Sequence, residues 1–152
     1  GIYPISATVY REHLNPFLHE HPFIHISTCG GAEVGCYVAL EVLNILGEPG
    51  FLQHVRRMAA LFEAGLARLR QRYPQLLVEV RQRGLMMGLK LANETCGPLM
   101  TLAGLSHGLL TIYANHDKSV SQLLPPLTIE EDEVAQVLAS LDGMLGWLAS
   151  IL

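Results

Sequence analysis

The sequence predicts an α+β fold, in which helices pack on one face of a small, mostly antiparallel sheet. Two long segments, 51–73 and 128–148, repeat apolar residues at spacings of three and four, as amphipathic helices do. Between them lie four short apolar segments separated by glycine, proline and polar residues, a pattern typical of strands. Half of the 152 residues are hydrophobic, which is enough for a substantial core.

The first 32 residues are expected to be the least regular part of the chain. Ile2–Tyr10 and Phe23–Ile26 are rich in β-branched and aromatic residues, so each is a candidate for a short strand. Arg11–Pro22 contains the turn signals Asn-Pro and His-Pro. Ser27–Gly31 then forms a loop of small and polar residues.

Two helices are predicted next. Glu33–Leu46 is apolar nearly all round, which indicates a helix buried on most sides, and Gly47–Gly50 ends it. Phe51–Tyr73 should be an amphipathic helix that stops before Pro74. Its apolar stripe is Leu52, Val55, Ala59, Phe62, Leu66, Leu69 and Tyr73, and its other face carries Arg56, Arg57, Arg68, Arg70 and Arg72.

The rest of the chain should hold the sheet and two more helices. The predicted strands are Leu76–Val80, Leu85–Leu91, Leu109–Tyr113 and Val120–Leu124, with a helix at Pro98–His107 and a polar loop at Ala114–Ser119. A capping box of Thr128 and Glu131 should open the final helix. Its apolar stripe is Val134, Val137, Leu138, Leu141, Leu145 and Leu148.

Composition excludes several classes of function. The net charge is −4 and the basic residues are spread along the chain, so no partner among nucleic acids or anionic membranes is expected. No apolar run is expected to reach the length of a membrane span, and no secretory signal opens the sequence. Three cysteines without a CxxC pair argue against a disulfide framework or a zinc site and indicate a cytoplasmic location.

Three polar clusters are candidates for chemistry. His13, His19, His21 and His25 offer metal ligands, but a polar surface loop is the favoured interpretation. Asn115-His116-Asp117 either faces a ligand or forms a turn, and the turn is favoured. In Ser27–Gly31, two hydroxyls and two glycines precede a helix, a pattern that suits an anion site and equally a helix cap with a turn.

Four blocks of sequence carry a family resemblance. Phe23–Cys36, with its Ser-Thr-Cys-Gly-Gly centre, resembles the H-x-S-T-F-G-G-N-P-L-A-C segment of class III pyridoxal-phosphate aminotransferases. Gly1–Ala7 resembles the stretch after that family's cofactor-binding lysine, K-x-L-G-G-G-x-x-P. Val80–Leu89 resembles V-R-G-x-G-L-M-x-G-x-E, and Leu123–Leu127 resembles the end of R-L-x-P-P-L.

The resemblance implies the C-terminal portion of a fold-type I aminotransferase. Residues 1–46 would be the tail end of the large, cofactor-binding domain, and 47–152 a linking helix and the small domain. Thr28, with Ser27 beside it, would hydrogen-bond the phosphate of pyridoxal 5'-phosphate bound by the second subunit of a homodimer. The substrates would be an amine or amino acid and a 2-oxo acid.

Two departures from the family pattern bear on activity. Gln122 stands where the family often has an arginine for the substrate carboxylate, and a neutral amide cannot form that bidentate ion pair. The motif lysine would lie before Gly1, so the 152-residue chain is expected to be inactive alone, with no catalytic residue of its own. The alternative is a non-catalytic binding or assembly module built on the aminotransferase small domain.

Overall fold

The computed structural model describes residues 3–152, and the chain divides into two compact units between Phe51 and Leu52. The first unit contains a 3₁₀ turn and two α-helices, and the second contains three helices and a sheet. The assignment of residues 1–46 to a large domain, and of 47–152 to a linking helix and small domain, stays a prediction.

The first unit contains helices where short strands were predicted. After a 3₁₀ turn at Glu12–Leu14, helix α1 spans Asn15–Glu20, with Pro16 in its first turn where a missing amide costs nothing. The strands predicted at Ile2–Tyr10 and Phe23–Ile26 are wrong for the described residues, which form bends, a turn and irregular backbone there. Neither segment has a neighbouring strand to complete its backbone hydrogen bonds.

Helix α2 spans Glu33–Leu46, as predicted, but it is not buried. Gly35 is its one buried residue, and it packs against the side chains of Tyr3 and Ile5. Val34 and Tyr37 are 63% and 74% exposed. The expectation of a helix buried on most sides is therefore wrong within this chain, because the other apolar side chains of residues 3–51, such as Phe23 and Ile24, are themselves exposed and do not cover α2.

The second unit follows the predicted order of elements. Its helices are α3, α4 and α5 at Phe51–Arg72, Cys96–Ser106 and Glu131–Ile151. Its strands are β1, β2, β3 and β4 at Leu77–Arg83, Met86–Leu91, Ile112–Ala114 and Asp117–Leu123. The predicted α+β class with a small antiparallel sheet is confirmed.

All strand pairs are antiparallel, and the spatial order is β1-β2-β4-β3. Gly84 turns the chain between β1 and β2 with a φ of 59°, a conformation that favours glycine. Strand β4 begins at Asp117, three residues before the predicted start at Val120, so Lys118 lies in a strand rather than in the predicted loop.

One face of the sheet and the three helices enclose the core. From α3 it receives Met58, Phe62, Leu66 and Leu69, and from β2 it receives Met87, Leu89 and Leu91. The predicted α3 stripe is confirmed from Val55 onward, with Val55, Ala59 and Tyr73 partly buried against the core. Leu52 is 52% exposed, and Met58, which was not predicted, is fully buried. The α3 stripe therefore begins one turn later than its periodicity suggested.

Helix α5 differs from prediction at its beginning. Its N-cap is Glu130, which forms a capping box with Glu133, so the predicted box of Thr128 and Glu131 is wrong. By length and composition alone α5 is apolar enough to cross a membrane, contrary to expectation. Its first turn is acidic and its buried stripe, which includes Leu141 and Leu145, packs in the core, as the central helix of a folded domain also does.

Candidate functional site

The Ser27–Gly31 loop is exposed and leads directly into α2. The amide of Gly30 donates to the Ser27 carbonyl at 3.1 Å, and Gly31 has a φ of 71°. The N-cap of α2 is Ala32, which has no side chain to cap the first-turn amides. Of the two interpretations of this loop, a helix cap is therefore wrong for Ser27 and Thr28.

The Ser27 and Thr28 hydroxyls make no hydrogen bond within residues 3–152. Both hydroxyls and the uncapped amides of α2 are therefore available to an external acceptor. Hydroxyl and backbone N–H donors at a helix N-terminus form a suitable environment for a phosphate. The carboxylate of Glu33 in the first turn opposes such an anion.

The N-terminal histidines do not share a strand face. His19 lies in the last turn of α1, and His21 follows that helix with its ring against Phe17, 4.8 Å between ring centroids. His13 belongs to the preceding 3₁₀ turn. Across residues 3–152, no three His, Cys, Asp or Glu side chains come together as metal ligands would.

Gln122 lies on the face of the sheet that the helices leave uncovered, here called the open face. Its neighbours Ser121 and Leu123 point into the core, so the alternation of the strand turns Gln122 outward. Its partners across the sheet are Gly88 on β2 and Ile112 on β3. Unlike Gln82, whose amide donates to two carbonyls, Gln122 makes no side-chain hydrogen bond within the described chain.

Four charged side chains continue along the open face in alternating sign. The Arg81 Nη2 donates to Glu79 at 2.9 Å, and the Lys90 Nζ donates to Asp117 at 2.7 Å. Glu79 and Lys90 are direct partners in the register of β1 and β2, which joins the two ion pairs. We call this set, Arg81, Glu79, Lys90 and Asp117, the charge ladder.

The ladder shifts the acidity of its carboxyl groups. Hydrogen bonds from Lys90 first, and from Ser119, lower the pKa of Asp117 to about 2. The hydrogen bond from Arg81 lowers the pKa of Glu79. This network was not predicted, because the strand expected at Leu76–Val80 stopped one residue before Arg81, whereas β1 continues to Arg83.

The three polar residues Asn115, His116 and Asp117 have two different structural roles. Asn115 and His116 form the exposed turn between β3 and β4, so the favoured interpretation as turn chemistry is confirmed for them. Asp117 is the first residue of β4 and holds Lys90.

The fold of the chain is similar to that of solved transaminases. A solved transaminase described with L-alanine superposes on 90% of this chain with a TM-score of 0.74 at 21% identity, a likeness of fold. The N-acetylornithine aminotransferase of Stenotrophomonas maltophilia superposes on 76% of this chain and 31% of its own, with a TM-score of 0.66 and 29% identity.

Sequence comparison gives the family. The family model described as aminotransferase class-III matches residues 1–145, and the chain belongs to that family. An uncharacterized aminotransferase of Archaeoglobus fulgidus is 44% identical over 95% of this chain and 34% of its own length. The putrescine aminotransferase of Pectobacterium atrosepticum is 32% identical over 95% of this chain and 31% of its own. The chain thus spans about a third of the length of the relatives it matches.

Proposed function

We propose that this chain is the C-terminal part of a pyridoxal-phosphate-dependent enzyme that transfers an amino group between an amine or amino acid and a 2-oxo acid. The observation that carries the proposal is the family match over residues 1–145. Pyridoxal phosphate, when bound, supplies the electron sink that this chemistry requires. The residues that this chain contributes lie in its two units, which we treat separately.

Thr28 is the proposed phosphate ligand, with Ser27 beside it. Three observations support the fit: both residues are exposed, their hydroxyls have no partner within residues 3–152, and the amides at the start of α2 are uncapped. A hydrogen bond to a charged acceptor contributes about 1.5–3 kcal/mol. The phosphate would belong to a second subunit, so the whole protein would be a homodimer or a multiple of one.

Gln122 is the proposed substrate contact of the second unit. Its amide lies on the open face without an internal partner, and its neighbours Gly88 and Ile112 carry no charge. Gln122 itself can therefore donate a hydrogen bond to a substrate but cannot supply the positive charge of an arginine. Amines, amino acids and their oxo counterparts all remain within the proposed substrate class.

The covalent step is proposed to need a lysine outside these 152 residues. Lys90 donates hydrogen bonds to Asp117 and Ser119 at 2.7 and 2.5 Å, which hold its amino group against β4. Lys118 is exposed on β4. Neither residue occupies the position that the family motif gives to its lysine, so the isolated chain should have no transaminase activity.

A cofactor titration of the whole protein tests the proposal. Thr28→Ala should weaken pyridoxal phosphate binding about tenfold to a hundredfold, followed by absorbance or fluorescence. Thr28→Ser keeps the hydroxyl and should bind nearly as well as the natural protein. Thr8→Ala, at another exposed threonine of the same unit, is the matched control and should have no effect.

Two results would contradict the proposal. If Thr28→Ala and Thr8→Ala bind the cofactor equally well, Thr28 is not a phosphate ligand. If the whole protein neither binds pyridoxal phosphate nor transfers an amino group, the non-catalytic binding or assembly module replaces the enzyme.

A further inference from the structure

Arg81, Gly88 and Gln122 form one row across three adjacent strands of the open face. In the register, Arg81 is opposite Gly88 and Gly88 is opposite Gln122. Gln82, the next residue on β1, instead donates to the Ala59 carbonyl of α3 at 2.8 Å, so Arg81 points away from the helices. Two strand spacings separate the Cα atoms of Arg81 and Gln122 by about 10 Å.

Gly88 leaves a gap in the middle of this row. A Cβ atom at Gly88 would lie 3.2 Å from the Val120 Cγ1 and 4.0 Å from the Arg81 Cβ, which places all three residues on the open face. Because glycine has no side chain, no group of β2 stands between the guanidinium of Arg81 and the amide of Gln122. The gap is bordered by apolar Val120 on one side and by hydrogen-bond donors at both ends.

Of the two cations in the charge ladder, Arg81 can leave its ion-pair partner more easily than Lys90. Its partner is Glu79, and their side chains are 55% and 49% exposed, so water competes for the ion pair. Glu79 lies opposite Lys90 and keeps a positive neighbour if Arg81 leaves. Lys90 is held more firmly, because it donates to both Asp117 and Ser119.

We propose that this row is a carboxylate-binding site in which Arg81 turns from Glu79 across Gly88 and the Gln122 amide donates a second hydrogen bond. The carboxylate belongs to the amino acid or 2-oxo acid substrate, so the inference rests on the proposed function. Arg81 then supplies the positive charge that Gln122 lacks, and the two donors fix the orientation of the carboxylate.

The whole protein allows a direct test with two readouts. Glutarate, a simple dicarboxylate, is titrated by calorimetry, and the KM and kcat for 2-oxoglutarate are measured in parallel. Arg81→Met should weaken glutarate binding and raise KM about tenfold to a hundredfold, with a smaller change in kcat. Arg83→Met, two residues further on the same exposed face of β1, is the matched control and should change either value less than threefold.

Two further variants separate a binding role from a structural one. Glu79→Gln removes the competing carboxylate and should tighten glutarate binding, which a purely structural Arg81 would not explain. Gln122→Arg in the Arg81→Met background should restore binding by bringing a guanidinium from the other end of the row. Equal effects of Arg81→Met and Arg83→Met, or no restoration by Gln122→Arg, would overturn the site.

The two readouts keep the proposals apart. If glutarate binding depends on Arg81 but the protein shows no turnover, the carboxylate site is supported and the proposed aminotransferase activity is refuted. If the protein shows turnover and the Arg81→Met variant has the same glutarate affinity and KM as the natural protein, the carboxylate site is refuted and the proposed activity is supported.

Discussion

Gly97 lies where α4 passes closest to the sheet, and replacing it with alanine should strongly destabilise the second unit. A Cβ atom there would overlap the backbone carbonyl oxygen of Lys118 and lie 2.9 Å from the Tyr113 Cβ. Gly97 is fully enclosed in the first turn of α4. Since the obstructing group is backbone of β4, the strain cannot be relieved by a rotamer change.

The magnitude follows from two opposing effects. Overpacking of this kind costs about 1–3 kcal/mol, and the rigid neighbour places Gly97→Ala at the upper end. Alanine returns at most about 1 kcal/mol through its higher helix propensity. A net loss of about 2 kcal/mol should lower the Tm of a domain of this size by roughly 8–16 °C.

Thermal unfolding followed by circular dichroism measures the effect on the 152-residue chain. Gly146→Ala in α5 is the matched control, because its new Cβ would meet the tip of the Tyr73 side chain, with the hydroxyl 3.2 Å away. That variant should unfold within about 3 °C of the natural chain, since helix propensity offsets a minor contact. A Gly97→Ala chain as stable as Gly146→Ala would refute the close approach of α4 to β4.

The remaining predictions concern acid stability, the lysines and self-association. Because the pKa of Asp117 is lowered from 3.8 to about 2, its stabilising effect is present above pH 4 and is lost as pH falls towards 2. Lys90→Met should therefore narrow the difference in Tm between pH 6 and pH 2.5, and an unchanged difference would contradict the ion pair. Borohydride reduction of the 152-residue chain with pyridoxal phosphate, followed by mass spectrometry, should yield no stoichiometric adduct, and one at Lys90 or Lys118 would refute its predicted inactivity. Light scattering over a dilution series should show self-association, because Val34 and Tyr37 are exposed on α2, and Tyr37→Glu should reduce it. A strictly monomeric chain at high concentration would favour the stand-alone module.

Elements with strong local patterns were predictable from the sequence. The α2 bounds at Glu33–Leu46 follow from an apolar segment that ends in Gly-Glu-Pro-Gly, and α3 from its spacing of threes and fours before Pro74. The strands β1 and β2 lie within a few residues of their predicted ends. In each case the signal is periodicity combined with a residue that breaks the element, and both are local properties.

Burial and capping were less predictable, because they depend on what lies nearby. The apolar composition of α2 indicated burial, but the described part of the first unit offers mainly Tyr3 and Ile5 to pack against it. At α5, four successive acidic residues, Glu130 to Glu133, left several frames for a capping box, and the fold selected Glu130 with Glu133. Where a sequence allows several helix caps of similar energy, tertiary contacts decide which cap forms.

The family, the order of elements in the second unit and the position of the Ser27–Thr28 loop before α2 could all be predicted from the sequence. These properties reside in motifs and periodicity, which are read along the chain. The structure alone decided that Arg81, Gly88 and Gln122 share one row and that Lys90 meets Asp117. Strand order and register bring together residues as far apart in sequence as Lys90 and Asp117, which are 27 positions apart, and neither quantity is encoded in any single segment.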